Sequence, residues 1–77
     1  MNILVIRLMA VMLAIDANAA IDDTDYPYIR VHSDRFMLPT GQTAIDNQHT
    51  FCNVLGNFFG MRWDGFDENG LACWYVE

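Results

Sequence analysis

The apolar run near the N-terminus constrains this chain more than any other feature, because it decides how much of the sequence belongs to the folded domain. Leu8–Ile15 is an unbroken run of eight apolar residues that follows Arg7 and precedes the small-residue segment ANA at 17–19. A basic residue, a short apolar run and a small-x-small site follow one another in this order in secretory signal peptides. The run is also far shorter than the roughly 20 residues that a helix needs to cross a bilayer. We therefore predict a signal peptide over residues 1–19, with a core strand or helix over 1–15 as the alternative.

Cleavage after Ala19 leaves Ala20–Glu77 as one small secreted domain, either extracellular or periplasmic. A domain near 60 residues buries only about 60% of the surface of its unfolded chain and usually needs a covalent or metal staple. Cys52 and Cys73 are the only cysteines. An even number of cysteines in a small exported domain predicts a disulfide, here Cys52–Cys73, worth about 3 kcal/mol on the chain-entropy model.

The alternative is a pair of free thiols or a metal site, but a metal lacks further ligands. His32 and His49 are the only histidines, and neither has ligand spacing to the cysteines. We expect neither a metal nor a cofactor.

The charge of the chain excludes two classes of partner. The net charge is −6, lysine is absent, and the predicted mature domain has only the arginines Arg30, Arg35 and Arg62. Such a domain repels phosphate backbones and anionic lipid surfaces, so we expect no nucleic acid and no membrane as partners. A neutral oligosaccharide or a basic protein is compatible with this charge.

The remaining sequence predicts a short series of elements. Ala20–Pro27 is acidic and predicts a flexible lead-in, whereas Tyr28–Leu38 begins with the alternation of a half-buried strand. Thr43–Leu55 has apolar residues at helical spacing, with Thr43 near a capping box and Gly56 as the C-terminal cap. The predicted buried stripe comprises Ile45, Gln48, Cys52, Leu55 and Phe59, widened by Phe51 and Val54.

The C-terminal part predicts a β-hairpin. Asn57–Phe66 and Leu71–Glu77 flank the turn sequence Asp-Glu-Asn-Gly at 67–70, which is typical of a hairpin. The resulting order is β-α-β-β. We predict an α+β domain in which one helix packs on a three-stranded, mainly antiparallel sheet and is tied to it by the disulfide.

The length of the hairpin loop decides which side chains share a face. A loop of two or four residues puts Cys73 on the face of Arg62, where the helix cannot bond to it while also covering the more apolar side. A three-residue loop, with Gly70 as its left-handed residue, turns Cys73 toward the helix. This register pairs Asp67 with Leu71, Gly65 with Cys73, and Trp63 with Tyr75.

The three-residue loop predicts that the other side of the sheet has no layer to cover it. That predicted exposed face carries Phe58, Gly60, Arg62, Asp64, Phe66, Ala72, Trp74 and Val76. An exposed tryptophan beside a carboxylate and a guanidinium indicates a binding platform or a homodimer surface. The alternative is that Trp74 only shields hydrogen bonds at the sheet surface.

Several short motifs give the chain a resemblance to a known family. They are a strand ending in the turn Leu38-Pro39-Thr40-Gly41, a polar helix start Asp46-Asn47, the helix cysteine Cys52, a Gly-containing strand Phe59–Trp63 and a final strand Leu71–Tyr75. In this order they resemble the mannan-binding lectin family of small microbial lectins. The sequence departs from that family where Ala44 or Ile45 replaces a tryptophan and where Gly60–Trp63 is one residue longer. The resemblance implies oligosaccharide binding through the turn and helix-start loop and through the Gly-x-Trp strand.

Two functions follow as predictions. The first is a secreted, non-catalytic, lectin-like carbohydrate-binding domain. In it Trp74 or Trp63 stacks on a sugar, and the hydrogen-bonding side chains are Asp46, Asn47, Arg62 and Asp64. The alternative is a secreted protein-binding factor, such as an enzyme inhibitor, immunity protein or host-directed effector, that presents an acidic, Trp-bearing sheet face.

Catalysis has little support in the sequence. Asp64 and Asp67 are a candidate carboxylate pair for glycoside cleavage, but carboxylates beside a hairpin turn are ordinarily solvated. No serine or cysteine lies in a nucleophile motif. We do not expect an enzyme.

Overall fold

A computed structural model describes residues 3–77, in which each of two helices is followed by two strands. The elements are α1 (Ile3–Ile15), β1 (Ala20–Asp22), β2 (Tyr28–His32), α2 (Gln42–Phe58), β3 (Met61–Phe66) and β4 (Ala72–Val76). The strands form one sheet in the order β1-β2-β4-β3, and every neighbouring pair is antiparallel. The predicted α+β class is confirmed.

The predicted number of strands is wrong. Residues 20–22 were expected to belong to a flexible lead-in, yet they pair with β2 and place Ile21 opposite Val31. The reason is that Ile21 packs against the core while Asp22 forms an ion pair with Arg30. The sheet therefore has four strands over the described residues 3–77.

The core lies between the helices and one face of the sheet, called here the inner face. Its buried strand residues are Ile29, Val31, Met61, Ala72, Trp74 and Val76. The other fully buried members are Val5, Leu8 and Met12 of α1, Cys52 of α2, and Phe36 of the loop after β2, which is almost fully buried. Trp74 is the largest of these side chains. The inner face is thus organised around an indole.

Helix α2 is longer than predicted, at both ends. It begins at Gln42 after Gly41, and no side chain caps it, so Thr43 is not the predicted cap. The predicted inward stripe is confirmed, since all its members are buried or half-buried. Phe51 and Val54, however, are exposed and do not widen it.

Gly56 lies inside α2 and is not its C-terminal cap. A β-carbon at this position would lie 2.7 Å from Cδ1 of Trp74 and 2.8 Å from the carbonyl oxygen of Met61. Real β-carbons do not approach other atoms that closely. The missing side chain is therefore what allows the helix to lie directly on the indole of Trp74.

The predicted three-residue hairpin loop is confirmed. The backbone N–H of Asp67 donates to the carbonyl of Leu71 at 3.0 Å, and the N–H of Gly70 donates to the carbonyl of Asp67 at 3.0 Å. Gly70 has the predicted left-handed conformation, with φ 78°. The carboxylate of Asp67 closes the turn by accepting the N–H groups of Asn69 and Leu71.

A β-bulge at Asp64 changes the register beyond the turn. Gly65 lies opposite Cys73 as predicted, but Trp63 lies opposite Trp74 and not Tyr75. Asp64 is the extra residue, and Gly65 beside it has φ 91°. Because one extra residue inverts the alternation of side chains, Trp63 and Trp74 share the inner face.

The predicted disulfide is wrong, and both thiols are free. Cys52 is fully buried on the inward side of α2, whereas Cys73 lies on the opposite side of the sheet from the helix because its neighbour Trp74 takes the inward position. Burial raises the pKa of the Cys52 thiol to about 12. The Cys73 thiol donates to the carbonyl of Leu71 at 3.4 Å, and its pKa is raised by burial and by the carboxylate of Asp67.

Helix α1 occupies most of the predicted signal peptide. It buries one stripe and leaves four large apolar residues exposed: Ile3, Ile6, Leu13 and Ile15. Just after it, Asp16 accepts the hydroxyl hydrogen of Ser33 at 2.8 Å. Within residues 3–77 no helix has both the length and the apolar character that a membrane span requires. Cleavage after Ala19 remains a prediction.

Candidate binding surface

The six predicted ligand-binding residues do not form one surface. Trp74 lies in the core, Trp63 on the inner face near the edge of the sheet, and Arg62 on the opposite face. Asp64 is at the bulge of β3, while Asp46 and Asn47 are on exposed positions of α2. The sequence-based site therefore divides among separate regions.

Trp74 is not accessible to a ligand. Its side chain is fully buried, and its indole Nε1–H donates to the carbonyl of Cys52 on α2 at 3.0 Å. The prediction of an exposed indole is wrong because it followed from the disulfide and from a hairpin without a bulge at Asp64. Trp74 instead connects β4 to α2.

Trp63 is half-buried at the edge of the sheet beside α2. Its Nε1–H donates to Nδ1 of His49 at 3.1 Å, so that ring nitrogen acts as an acceptor. The rings of His49, Trp63 and Phe66 meet edge to face, with centroids 5.0–5.9 Å apart. Trp63 thus belongs to a small aromatic cluster whose histidine is exposed.

Asp46 has local partners on α2. One of its carboxylate oxygens accepts the side-chain amide of Gln42 at 2.8 Å, and its backbone carbonyl accepts the hydroxyl of Thr50. Asp46 and the neighbouring Asn47 are both exposed.

The side of the sheet away from the helices carries a different set of residues. This outer face is defined by Tyr28, Arg30, Arg62, Cys73 and Tyr75. The register places Tyr28 and Arg62 on the two sides of Tyr75, and Arg30 beside Cys73. None of these five side chains is fully buried, and Tyr28 and Arg62 are exposed. The outer face is therefore an open surface.

One end of the outer face is built from stacked aromatic and cationic groups. The rings of Tyr28 and Tyr75 meet edge to face with centroids 4.9 Å apart. The guanidinium carbon of Arg62 lies 4.8 Å from the centre of the Tyr75 ring, which is a cation–π distance. Glu77 is 3.8 Å from this guanidinium. The three side chains on adjacent strands thus hold one another in place.

The other end is acidic. Arg30 pairs with Asp25 at 2.7 Å, with Asp67 at 3.5 Å and with Asp22 at 3.8 Å. The hydrogen bond and charge of Asp25 raise the pKa of Arg30, and hydrogen bonds from Thr24 lower the pKa of Asp22. Three carboxylates surround one guanidinium, so this end keeps a net negative charge.

Sequence analysis identified Arg62 of the outer face but missed both tyrosines. Tyr75 was placed toward the helix, because the bulge at Asp64 was not foreseen. Gly65 was the available signal, since a glycine inside a strand often marks a bulge. Tyr28 begins the predicted strand, and its alternation with Ile29 was the signal that it faces away from the core.

A shallow cavity of about 250 Å³ lies between the end of α1 and the loop after β2. Asp16, His32 and Ser33 line it, but the Ser33 hydroxyl donates to Asp16 and not to the histidine. This geometry gives no activated nucleophile. In the part of the chain that is described, no group of three or more histidine, cysteine and acidic side chains is arranged to hold a metal ion.

Comparison of the chain with protein-family models, with curated proteins and with solved structures finds no match. The resemblance to mannan-binding lectins therefore remains a prediction from short motifs.

Proposed function

We propose that this protein is a secreted, non-catalytic binding domain whose outer face docks onto a basic protein. The observation that carries this proposal is the cluster of Tyr28, Tyr75 and Arg62 on an open sheet surface. Tyrosine and arginine are among the residues most enriched at the energetic centres of protein interfaces. An inhibitor, an immunity protein and a host-directed effector all belong to this class of function.

The geometry of the cluster favours a protein partner over a sugar on this face. A sugar stacks on the open face of an aromatic ring, but Arg62 covers one face of the Tyr75 ring and Tyr28 meets the same ring edge to face. A protein partner does not need that open ring. It gains from side chains that are already ordered, because less conformational entropy is lost on binding.

The charge of the surface supports a basic partner. The negative charge of three carboxylates, those of Asp22, Asp25 and Asp67, is greater than the positive charge of the Arg30 guanidinium that they surround. The whole chain has a net charge of −6. Acidic groups at the rim of an interface speed association with a positively charged protein and lose this effect as salt screens them.

Binding to a panel of basic secreted enzymes, with lysozyme and pancreatic ribonuclease included, tests the proposal by biolayer interferometry. A partner in the panel should bind more weakly to Tyr75→Ala by about 10-fold or more, and association should slow as salt rises. Phe58→Ala removes an exposed aromatic ring on α2 that is not part of the outer face, and it is the matched control.

The acidic end needs its own control. Asp25→Asn should slow association, whereas Asp34→Asn removes one carboxylate from a loop that is not part of the outer face. Equal effects of the two variants would show that only total charge matters. Binding that is insensitive to Tyr75→Ala and to Asp25→Asn, or a panel without any binder, would count against this surface.

A glycan site at the edge of the sheet is a second candidate, and one observation favours it. Trp63 is half-exposed in a cluster with His49 and Phe66, and Asp64 is exposed next to it in the chain. Because Trp74 is fully buried, a change of tryptophan fluorescence during titration with mannose- or GlcNAc-containing oligosaccharides should come from Trp63. Trp63→Phe should abolish it, and an unchanged spectrum with every sugar would eliminate this candidate.

A further inference from the structure

Helix α2 carries an apolar stripe on its solvent side that the fold does not use. Phe51, Val54 and Phe58 are 41%, 61% and 81% exposed, respectively. Their spacing of three and then four residues places them along one line of the helix, as in the seam of a coiled coil. Phe51 also contacts Phe36 of the core, with ring centroids 5.8 Å apart. The outer end of the stripe, at Phe58, is almost fully in solvent.

The residues that flank this stripe along α2 are uncharged. Asp46 is the only acidic residue in α2, which has no arginine or lysine. The positions that flank the stripe are occupied by uncharged polar residues, namely Asn47, Thr50, Asn53 and Asn57. This is unusual on a chain whose net charge is −6.

We propose that two copies of this chain pair through the α2 stripe, defined as Phe51, Val54 and Phe58. Two copies with the same large negative charge repel one another wherever acidic surfaces meet. The α2 stripe is an apolar surface on which two copies approach without opposing carboxylates from the flanking positions of α2. A basic partner would find no acidic group to recognise there, and it fits the outer face instead.

The arrangement that satisfies a two-fold axis is an antiparallel pair of α2 helices. In such a pair the same patch serves both copies, so each contact occurs twice. With the axis beside Val54, this residue meets its counterpart, and Phe51 of one copy packs on Phe58 of the other. The seam extends over about 10 Å of each helix. Phe58 gains most, because it is the most exposed of the three.

The pair should be weak. Three side chains on two turns of helix provide less than the roughly 800 Å² per partner of a standard stable interface. We expect dissociation constants in the micromolar range or weaker, about 10 µM to 1 mM. The association should strengthen as salt rises, because screening reduces the repulsion between the two acidic copies. Binding of a basic protein to the outer face has the opposite salt dependence.

Sedimentation equilibrium of the full chain at about 0.05 M and 0.5 M NaCl tests this. Self-association should increase at the higher salt. Val54→Asp places two carboxylates near each other across the axis and should weaken association at least about 10-fold. Circular dichroism controls for the fold, which should persist because Val54 is largely exposed.

Two further variants separate the two faces of the molecule. Tyr28→Ser alters the outer face and should leave self-association unchanged, whereas Phe58→Ser should weaken it like Val54→Asp. A dimer that responds to Tyr28→Ser and not to Val54→Asp would instead use the outer face and would overturn the inference. A chain that stays monomeric to about 1 mM would overturn it as well. Neither result touches the proposed binding of a basic protein by a monomer.

Cross-linking provides a geometric test. In a Cys73→Ser background, Val54→Cys places two thiols across the axis, and mild oxidation with oxidised glutathione should link the copies. Asn53→Cys is the matched control, because it introduces an exposed thiol one residue away and off the seam. Equal cross-linking of the two variants would indicate random collisions and would contradict the antiparallel pair.

Discussion

The two helices cover the same sheet in different ways. Helix α2 is fitted to the sheet by individual contacts: Gly56 admits the indole of Trp74, and the indole donates to the carbonyl of Cys52. Helix α1 is fitted by general apolar burial, with Val5 and Leu8 in the core and a hydrogen bond from Ser33 to Asp16 just beyond its end.

Their solvent sides differ as well. Helix α2 is polar there except for the α2 stripe, whereas α1 exposes Ile3, Ile6, Leu13 and Ile15. A helix that is apolar all round is suited to a wholly apolar environment and not to a protein surface. This composition is what the predicted signal peptide requires. Helix α1 nevertheless contributes Val5, Leu8 and Met12 to the core, and its removal as a signal peptide remains a prediction.

The largest effect should come from the contact between α2 and the sheet. Trp74→Ala removes the largest fully buried side chain and leaves the carbonyl of Cys52 without this donor, so we expect a loss of about 3–5 kcal/mol in the free energy of unfolding. Small domains have total stabilities of about 5–10 kcal/mol. Urea unfolding followed by circular dichroism measures the loss, and Trp74→Phe should be milder. Near-native stability of Trp74→Ala would refute the central role of this indole.

Leu8→Ala tests the other helix. In the full chain, made without export, the lost burial should cost about 2–5 kcal/mol by the same urea assay. In exported material we expect mass spectrometry to find an N-terminus at Ala20, which lacks residue 8 altogether. An exported protein that retains α1 would show that the segment belongs to the fold and would remove the contrast between the helices.

Gly56→Ala should be destabilising although alanine is the better helix former. Its β-carbon would overlap Trp74, so we expect a net loss of about 1–3 kcal/mol in the free energy of unfolding. Asn53→Ala on the exposed side of α2 is the control and should change stability by less than about 0.5 kcal/mol. A stabilised Gly56→Ala variant would mean that helix and indole are not in direct contact.

Gly65→Ala tests the bulge that brings Trp63 and Trp74 together. A β-carbon there meets no neighbouring atom, so the cost comes only from the φ of 91°, and we expect about 1–2 kcal/mol in thermal or urea unfolding. Gly65→Asn should cost less, because asparagine tolerates positive φ better. Equal stability of wild type and Gly65→Ala would argue against the bulge.

The smallest effect should come from the polar contact beyond α1. The hydrogen bond from Ser33 lowers the pKa of Asp16 below its ordinary value of 3.8. A group whose pKa is depressed by folding stabilises the fold at pH values above its unfolded pKa. This contribution should therefore be present above about pH 4 and lost as the pH falls through the folded pKa. The difference in melting temperature between wild type and Asp16→Asn should shrink over that range, and a constant difference would show that the carboxylate charge is not involved.

The parts of the fold that depend on local pattern were predictable. The helix stripe that includes Cys52 follows from periodicity, and the loop at 68–70 follows from the turn sequence with Gly70. The disulfide was not predictable in the same way, because cysteine count does not show which way a strand faces. The assumption of a disulfide determined the predicted register, in which Cys73 faces inward and Trp74 faces outward. Because the disulfide was wrong, the predicted exposure of Trp74 was wrong as well. Met61 and Trp63 were nevertheless correctly predicted to lie on the inner face.

The bulge also shows that the change of one residue in this sequence would give the sheet a different exposed surface. Asp64 adds one residue to β3 without a partner on β4. Loss of a single codon there would exchange interior and exterior positions along the strand before the bulge, turning Arg62 inward and Met61 and Trp63 outward. One-residue insertions and deletions in this hairpin should therefore change the exposed surface more than substitutions at the same position, and they offer a short evolutionary route to a new recognition surface.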